Sequence, residues 1–286
     1  TSFTENTVTL TTPVTSANII PPGEDVTAGT LLVPKGKILT ASDLALIAGQ
    51  GIAEIGVYKK LSIGLISTGS ELLNTGSPLE YGKIYNTNPY LLGGYIQKHH
   101  MTANYLNTVS DDLDSLCRAV LEALKTNDVV ITTGGVSAGD FDYMPEVIRR
   151  IGGDLLFHRL KFKPGGAMLG AFKDGKVILG LSGNPGAAAT GLLCVGFPFM
   201  RKLSGRSDIT FSQTTAYLGV DFKKSSPVTR ILKGHSDFKN GMLYFTPLSN
   251  QHNGSVSSMS DCDLLAVIPA GSKPLAAGDK LEVYIL

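Results

Sequence analysis

Cysteine is scarce in this chain. The 286 residues hold three, Cys117, Cys194 and Cys262, widely scattered and with no C-x-x-C pair. That excludes a disulfide framework and a cysteine zinc site, and predicts buried free thiols in a reducing, cytoplasmic compartment. Histidine offers no metal site either. His99-His100 sits at an expected helix end, His158, His235 and His252 stand alone, and no H-x-x-x-H spacing occurs. Charged residues make up only 17% and the formal net charge is +1, which argues against a nucleic-acid arm and a polybasic membrane patch. Hydrophobic content is 43%, yet no run approaches a bilayer-spanning length, so a soluble protein is expected. The opening Thr1-Ser2-Phe3-Thr4-Glu5 has no basic or apolar region of a signal peptide and no initiator Met, which predicts a fragment or a processed form.

What is present is a change of pattern along the chain. Residues 1–60 read as β-rich, with strands at Thr7–Leu10 and Val14–Ile20, a stop at Pro21-Pro22-Gly23, an exposed turn at Glu24-Asp25 and a small strand near Leu31–Val33. Thr40 is placed to cap a helix over Ala41–Ala48, with Leu44, Ile47 and Ala48 on one face. From Leu61 to about residue 206, strands and helices alternate regularly. Strands are expected at 61–68, 103–109, 128–132, 154–162 and, around the hairpin turn Lys173-Asp174-Gly175, at 167–172 and 176–181. Helices are expected from Asn88, from Asp111 with Ser110 as cap, from about Asp142 to Ile151, and from Ala187 to about Phe197. Residues 207–286 lose helical periodicity and read as five short strands of a barrel or sandwich. The expected fold is therefore α/β: a doubly wound, mostly parallel sheet (61–206), preceded by a partial β-rich domain (1–60) and followed by a β-barrel-like domain (207–286).

Chemistry concentrates where the strands end. The buried strand Asp128–Thr132 breaks on Gly134-Gly135 and leads through Ser137, Asp140 and Asp142 into a helix. Such a turn brings backbone N–H groups close to a phosphate, and its carboxylates can hold Mg²⁺ beside it; it is also how an ordinary strand-to-helix connection looks. Two more glycine turns, Thr68-Gly69-Ser70-Glu71 and Ser182-Gly183-Asn184-Pro185, fall at carboxyl ends of expected strands, where open α/β sheets place their sites. With Lys163-Pro164-Gly165-Gly166 they are expected to make one rim with anion- and metal-binding character.

Together these stretches resemble the molybdenum insertase family, the MoeA proteins of bacteria and the gephyrin E domain of animals. The family's S-T-G-[DS]-E-L is matched by Ser67–Leu72, its G-x-[IV]-x-[DN]-[ST]-N by Gly82–Asn88, and its [ST]-G-G-[VS]-S-x-G-x-x-D-[YF] by Thr133–Tyr143. K-P-G stands at Lys163–Gly165, G-N-P at Gly183–Pro185, and the tail Gly254–Met259, Pro269–Gly271 and Gly278-Asp279 is similar to the family's last domain. The resemblance implies a Mg²⁺-assisted transferase that takes adenylylated molybdopterin and molybdate and releases molybdenum cofactor and AMP. It implies that Glu71 and Asp142 hold the metal or orient water at the phosphate, that Gly134, Gly135 and Ser137 cradle the nucleotide phosphate, and that Lys163 pairs with molybdate or phosphate oxygens, with Arg159 sharing that role. Gly69, Ser70, Gly183, Asn184 and Pro185 would line the cofactor, and Asp111, Asp112, Asp25, Ser255 and Ser257 match polar family positions. A homodimer and a molybdopterin adenylyltransferase as partner are further implications.

The chain departs from the family at named positions. K-P-G-K-P becomes Lys163-Pro164-Gly165-Gly166-Ala167, which removes one cation; the first acidic residue of S-T-G-D-E is Ser70; P-G-N-P begins with Ser182; and no M-D-G-Y motif occurs. A lost charge-assisted bond in an anion site costs on the order of 1.5–3 kcal/mol. Two other readings stand beside the insertase: a binding or scaffold protein on the same fold, and a molybdopterin adenylyltransferase, which usually is the α/β domain alone.

Overall fold

The computed structural model describes residues 1–11, 20–136 and 143–286. They fall into two compact units, Thr1–Gly56 and Val57–Leu286.

In the first unit, β1 (Ser2–Phe3) pairs antiparallel with β2 (Val8–Thr9). The strand expected over 14–20 lies almost entirely outside the described residues. Gly23, at φ 85°, closes a turn in which the Glu24 N–H donates to the Pro21 carbonyl. No strand forms at Leu31–Val33. Helix α1 (Ala41–Gly49) starts as expected: the Thr40 hydroxyl accepts from the Asp43 N–H while the Asp43 carboxylate accepts from the Thr40 N–H, a reciprocal capping box. Its inward face differs from the expected stripe. Ile47 is buried, but Leu44 and Ala48 are exposed, and Asp43 is turned inward instead. That burial is tolerated because Lys37 and Thr40 bond the carboxylate, which holds its pKa down at about 2.

The second unit begins with the regular alternation. Its elements are β3 (Ser62–Ser67), the short pair β4 (Leu72–Leu73) and β5 (Ile84–Tyr85), α2 (Asn88–Lys98), β6 (Thr102–Tyr105), α3 (Leu113–Thr126), β7 (Val129–Thr133), α4 (Met144–Arg150), β8 (Asp154–His158), β9 (Phe162–Lys163), β10 (Leu169–Lys173), β11 (Lys176–Leu181), α5 (Pro185–Gly191) and α6 (Phe197–Leu203). The sheet order is β6-β3-β7-β11-β10-β8; the first four strands are parallel, and β10 runs against them, antiparallel to both β11 and β8. Alternation along the central strands sorts the two faces. Leu65, Val129, Ile131 and Leu179 pack with α2 and α5, while Ile66, Val130 and Ile178 pack with α3 and α4.

Several boundaries differ from the sequence expectation: the strand expected over 103–109 ends at Tyr105, the helix expected from Ala187 starts at Pro185, and three further differences have a local cause. Helix α3 is capped by Asp112, whose carboxylate accepts from the Ser115 N–H at 2.8 Å, and not by Ser110. The helix expected to end near Phe197 continues to Leu203, with a π-helical turn at Leu192–Gly196 just before Pro198. Proline has no N–H to give and crowds the carbonyl four residues back, and a widened turn relieves both problems. The strand expected over 154–162 breaks at Arg159, whose φ is 67°. Beyond that break the chain leaves the α/β sheet, and β9 pairs with a different one.

That second sheet is the expected barrel. Strands β12 (Gln213–Leu218), β13 (Thr229–Lys239), β14 (Met242–Pro247), β15 (Leu264–Ile268) and β16 (Lys280–Ile285) close in the order β14-β12-β16-β15-β13, with β13 pairing back to β14. Phe245, Leu232, Ala266 and Val283 fill its interior. Outward-facing Ile231 and Leu265, with Met259 from a loop, join Phe197 and Met200 in the core beneath the α/β sheet.

Candidate active site

The parallel strands end level with one another. Ser67 of β3, Thr133 of β7 and Leu181 of β11 are register partners, and each is followed by a glycine turn. The Thr68 N–H donates to the Thr133 carbonyl, and the Gly134 N–H donates to the Leu181 carbonyl at 3.0 Å. Gly134 has φ 101°, and a Cβ there would lie 2.5 Å from Thr68 Oγ1 and 2.8 Å from its carbonyl oxygen. A Cβ on Gly183 would lie 3.6 Å from Gly134 Cα. Glycine is thus required at 134 by both conformation and space, and the backbones at 134 and 183 run side by side with no side chain between them.

Beneath these turns runs a chain of polar contacts. The Thr133 hydroxyl donates to Ser67 Oγ, Ser67 Oγ donates to Asn86 Oδ1, and Asn86 Nδ2 donates to Thr108 Oγ1, each at 3.2 Å. Asn88, at the start of α2, donates from Nδ2 to the Gly183 carbonyl at 2.8 Å. The N-T-N triplet therefore ties the first and third turns to the sheet. It was visible in the sequence as a motif, but its tying role was not.

Glu71 is exposed, and its carboxylate folds back over Gly69, with Oε2 2.6 Å from the position of an added Cβ. Ser70 is fixed on both sides of its peptide: its N–H donates to Asp111 Oδ2 at 3.2 Å and its carbonyl accepts from Lys83 Nζ at 2.6 Å. Asp111 is thereby a loop-holding residue, and Asp112 is spent on its helix cap. Among the described residues no three His, Cys, Asp or Glu side chains group as a metal cage. Glu71 offers one oxygen-ligand carboxylate, which suits an ion that binds through one or two carboxylates, waters and a substrate phosphate. Ser137, Asp140 and Asp142 lie outside the described residues.

The fourth turn is reached through α5. Gly165, at φ 95°, packs so closely that a Cβ would lie 2.7 Å from the Gly191 N and 2.9 Å from the Ala187 carbonyl. Gly166 is buried, and a Cβ on it would collide with the carbonyl oxygens of Phe162 and Leu160. Lys163 is exposed on β9, and Arg159 is exposed at the break before it. Asn184 and Pro185 lead into α5, whose Gly186 N–H donates to the Asn253 carbonyl at 2.8 Å. The barrel loop that supplies Asn253 is self-bonded: Asn250 Nδ2 donates to Ser255 Oγ at 2.8 Å, and Ser255 Oγ meets Ser257 Oγ at 2.9 Å.

One residue here was missed in the sequence. Lys233 on β13 is fully buried, and its ammonium donates to the His252 carbonyl and to Ser258 Oγ. Burial lowers its pKa. A Cβ on Gly186 would lie 3.1 Å from Nζ, so this lysine sits directly under the start of α5. A lysine in a strand of ordinary alternation carries no sequence signal of such burial. Asp25 belongs to the first unit, in an exposed turn.

The fold is thus an α/β domain with glycine turns gathered at one sheet edge, joined to a five-stranded barrel, an architecture shared with a known family. Residues 64–202 match the family described as "Probable molybdopterin binding domain", and residues 215–286 match "MoeA C-terminal region (domain IV)". The molybdopterin molybdenumtransferase of Staphylococcus aureus (strain MRSA252) is 34% identical over 282 residues, 98% of this chain and 67% of that protein. The enzyme of the same name from Bacillus subtilis (strain 168) is 35% identical over 272 residues, 95% of this chain and 63% of that protein. A crystal structure of the molybdopterin biosynthesis MoeA protein from Pyrococcus horikosii superposes with a TM-score of 0.79 at 27% identity, over 92% of this chain and 64% of that one. The chain belongs to the MoeA family, whose Staphylococcus and Bacillus members named here are molybdopterin molybdenumtransferases. It spans about two-thirds of the length of these relatives.

Proposed function

We propose that this chain serves molybdenum cofactor biosynthesis as a molybdopterin molybdenumtransferase, inserting molybdate into adenylylated molybdopterin with release of AMP. The observation that supports this most is the convergence of the Gly69, Gly134 and Gly183 turns at the carboxyl ends of three parallel strands. Backbone there can approach a phosphate with no Cβ in the way. In this reading Gly134, Gly135 and Ser137 hold the adenylate phosphate, while Gly69, Ser70, Gly183, Asn184 and Pro185 line the rest of the ligand. Glu71 and Asp142 would hold Mg²⁺, which supplies positive charge to the leaving phosphate. Lys163 and Arg159 pair with oxyanion oxygens. When water adds at a phosphorus of the phosphoanhydride and the P–O bond to the leaving phosphate breaks, charge builds on the departing group, and fixed N–H donors and cations stabilise it without reorganising. The work divides over a partial N-terminal domain (1–60), the ligand-binding domain (61–206) and the barrel (207–286). A homodimer and hand-off from a molybdopterin adenylyltransferase in the cytoplasm belong to the same proposal.

The test is AMP release from adenylylated molybdopterin in the presence of molybdate and Mg²⁺. Asp142→Asn and Glu71→Gln are expected to stop release while leaving the far-UV spectrum and melting midpoint unchanged. Undiminished release by both variants would rule out the carboxylate roles, and no release from folded full-length protein would sink the activity. The second reading, a non-catalytic binding protein on this fold, is favoured by the backbone packing at Gly166, which leaves no room for the family's second lysine. It predicts ligand binding without AMP release.

A further inference from the structure

The first glycine turn has little backbone support of its own. Gly69 has φ 151°, and the ladder that follows it, β4 with β5, joins only Leu72 to Ile84 and Leu73 to Tyr85. A two-stranded pairing that short is marginal by itself, and glycine adds freedom at the pivot. Ser70 and Glu71 are both exposed, so no core packing holds them. Yet the Glu71 carboxylate takes a defined place over Gly69, with Oε2 and Oε1 2.6 and 2.9 Å from the position of an added Cβ.

Two charged side chains supply the missing restraint. Asp111, from the segment before α3, accepts from the Ser70 N–H at 3.2 Å, and Lys83, from the segment before β5, donates from Nζ to the Ser70 carbonyl at 2.6 Å. Hydrogen bonds to ionised groups are roughly twice as strong as neutral ones. The carbonyl that Lys83 holds belongs to the peptide bond to Glu71. The Glu71 carbonyl in turn accepts from the Ile84 N–H at 2.9 Å, one residue beyond Lys83. Lys83 is half-buried, and among the described residues no carboxylate forms an ion pair with it, so its ammonium is committed to the turn.

We propose that Lys83 is a positioning residue of the site: by holding the Ser70 carbonyl it fixes the turn that carries Glu71, and so aims that carboxylate. The use of Glu71 as a metal ligand rests on the proposed function, whereas the hold on the turn rests on the two bonds to Ser70. Lys83 is a cation one peptide away from a carboxylate, which gives its role a sign. By Coulomb's law alone, removing the ammonium would tighten cation binding at Glu71. Loss of the turn's geometry weakens that binding instead, because a ligating side chain depends on the groups that orient it. The hold acts through backbone atoms, so it does not depend on the serine side chain that stands at position 70.

The experiment compares the full chain as wild type, Lys83→Met and Lys83→Arg. Without any ligand, hydrogen exchange over residues 68–73 is expected to be several-fold faster in Lys83→Met, with β3 and β7 unchanged, and Lys83→Arg is expected to restore protection. Mn²⁺, the metal probe, is expected to bind Lys83→Met roughly tenfold more weakly, read by electron paramagnetic resonance. The Mg²⁺ concentration that half-saturates AMP release should rise by a similar factor, while the rate at saturating Mg²⁺ stays near that of wild type. Unchanged exchange in Lys83→Met overturns the proposal. So does Mn²⁺ binding that is unchanged or tighter in that variant, or wild type that binds no Mn²⁺. Wild type that binds Mn²⁺ in a Lys83-dependent way but releases no AMP would leave the positioning role standing and reject the transferase reading.

Discussion

Single residues fix this site more by what they exclude than by what they reach. Gly134 keeps a Cβ out of Thr68, and Gly166 keeps one out of two carbonyl oxygens. Restoring the family's lysine by Gly166→Lys should therefore fail to add a useful cation. The expected outcome is destabilisation of about 1–3 kcal/mol from overpacking, measured by urea denaturation, with oxyanion affinity no better than wild type. The sequence showed the missing lysine but not its cause, because the departure looks like a simple substitution until the backbone around it is seen.

At the scale of elements, the end of α2 carries a titrating residue in a tight aromatic setting. His99 lies against Phe197 and Phe211, at 4.4 and 5.2 Å between ring centroids, and its Nδ1 faces Arg201, which itself stacks over Phe211. Burial, then the positive charge of Arg201, lowers its pKa to about 4. A depressed folded-state pKa means that the neutral ring is favoured in the fold, so this stability is complete above about 6.5 and is lost as pH falls toward 4. Melting midpoints measured from pH 7 to pH 4 should fall, and His99→Gln should flatten that slope. Most elements were legible because alternation and capping are local signals. The five strands expected within 207–286 form, and the Lys173–Gly175 hairpin stands where expected, with Asp174 and Gly175 both at positive φ. What was not legible is non-local: the Arg159 break sends the chain from one sheet to another, and the π turn before Pro198 lets a helix pass a proline.

At the scale of the second unit, the barrel and the α/β sheet share one core and meet again at the rim. Lys233 is the polar part of that junction. Lys233→Met should release the His252 carbonyl and Ser258 hydroxyl, loosening the loop whose Asn253 carbonyl accepts from Gly186. Faster amide exchange at Gly186 and at residues 252–258, with the barrel core still protected, is the expected result; an unchanged exchange pattern would show that the lysine holds nothing there. The glycine turns themselves were readable as a candidate site from spacing alone, since strand ends can be counted. Lys233 was not, because its importance comes from contacts that the fold makes with His252, Ser258 and the start of α5.

The placement of β9 also bears on how the chain can be divided. Phe162-Lys163 precedes the last two strands of the α/β sheet in sequence, yet its partner is Thr229-Arg230 in the barrel. A cut in the linker near residue 206 would give two fragments, neither with a finished edge. The barrel fragment would bare the backbone donors and acceptors of β13 that β9 normally covers, an invitation to stray pairing. Complementation of the two halves, rather than independent function of either, is the behaviour such interleaved connectivity favours.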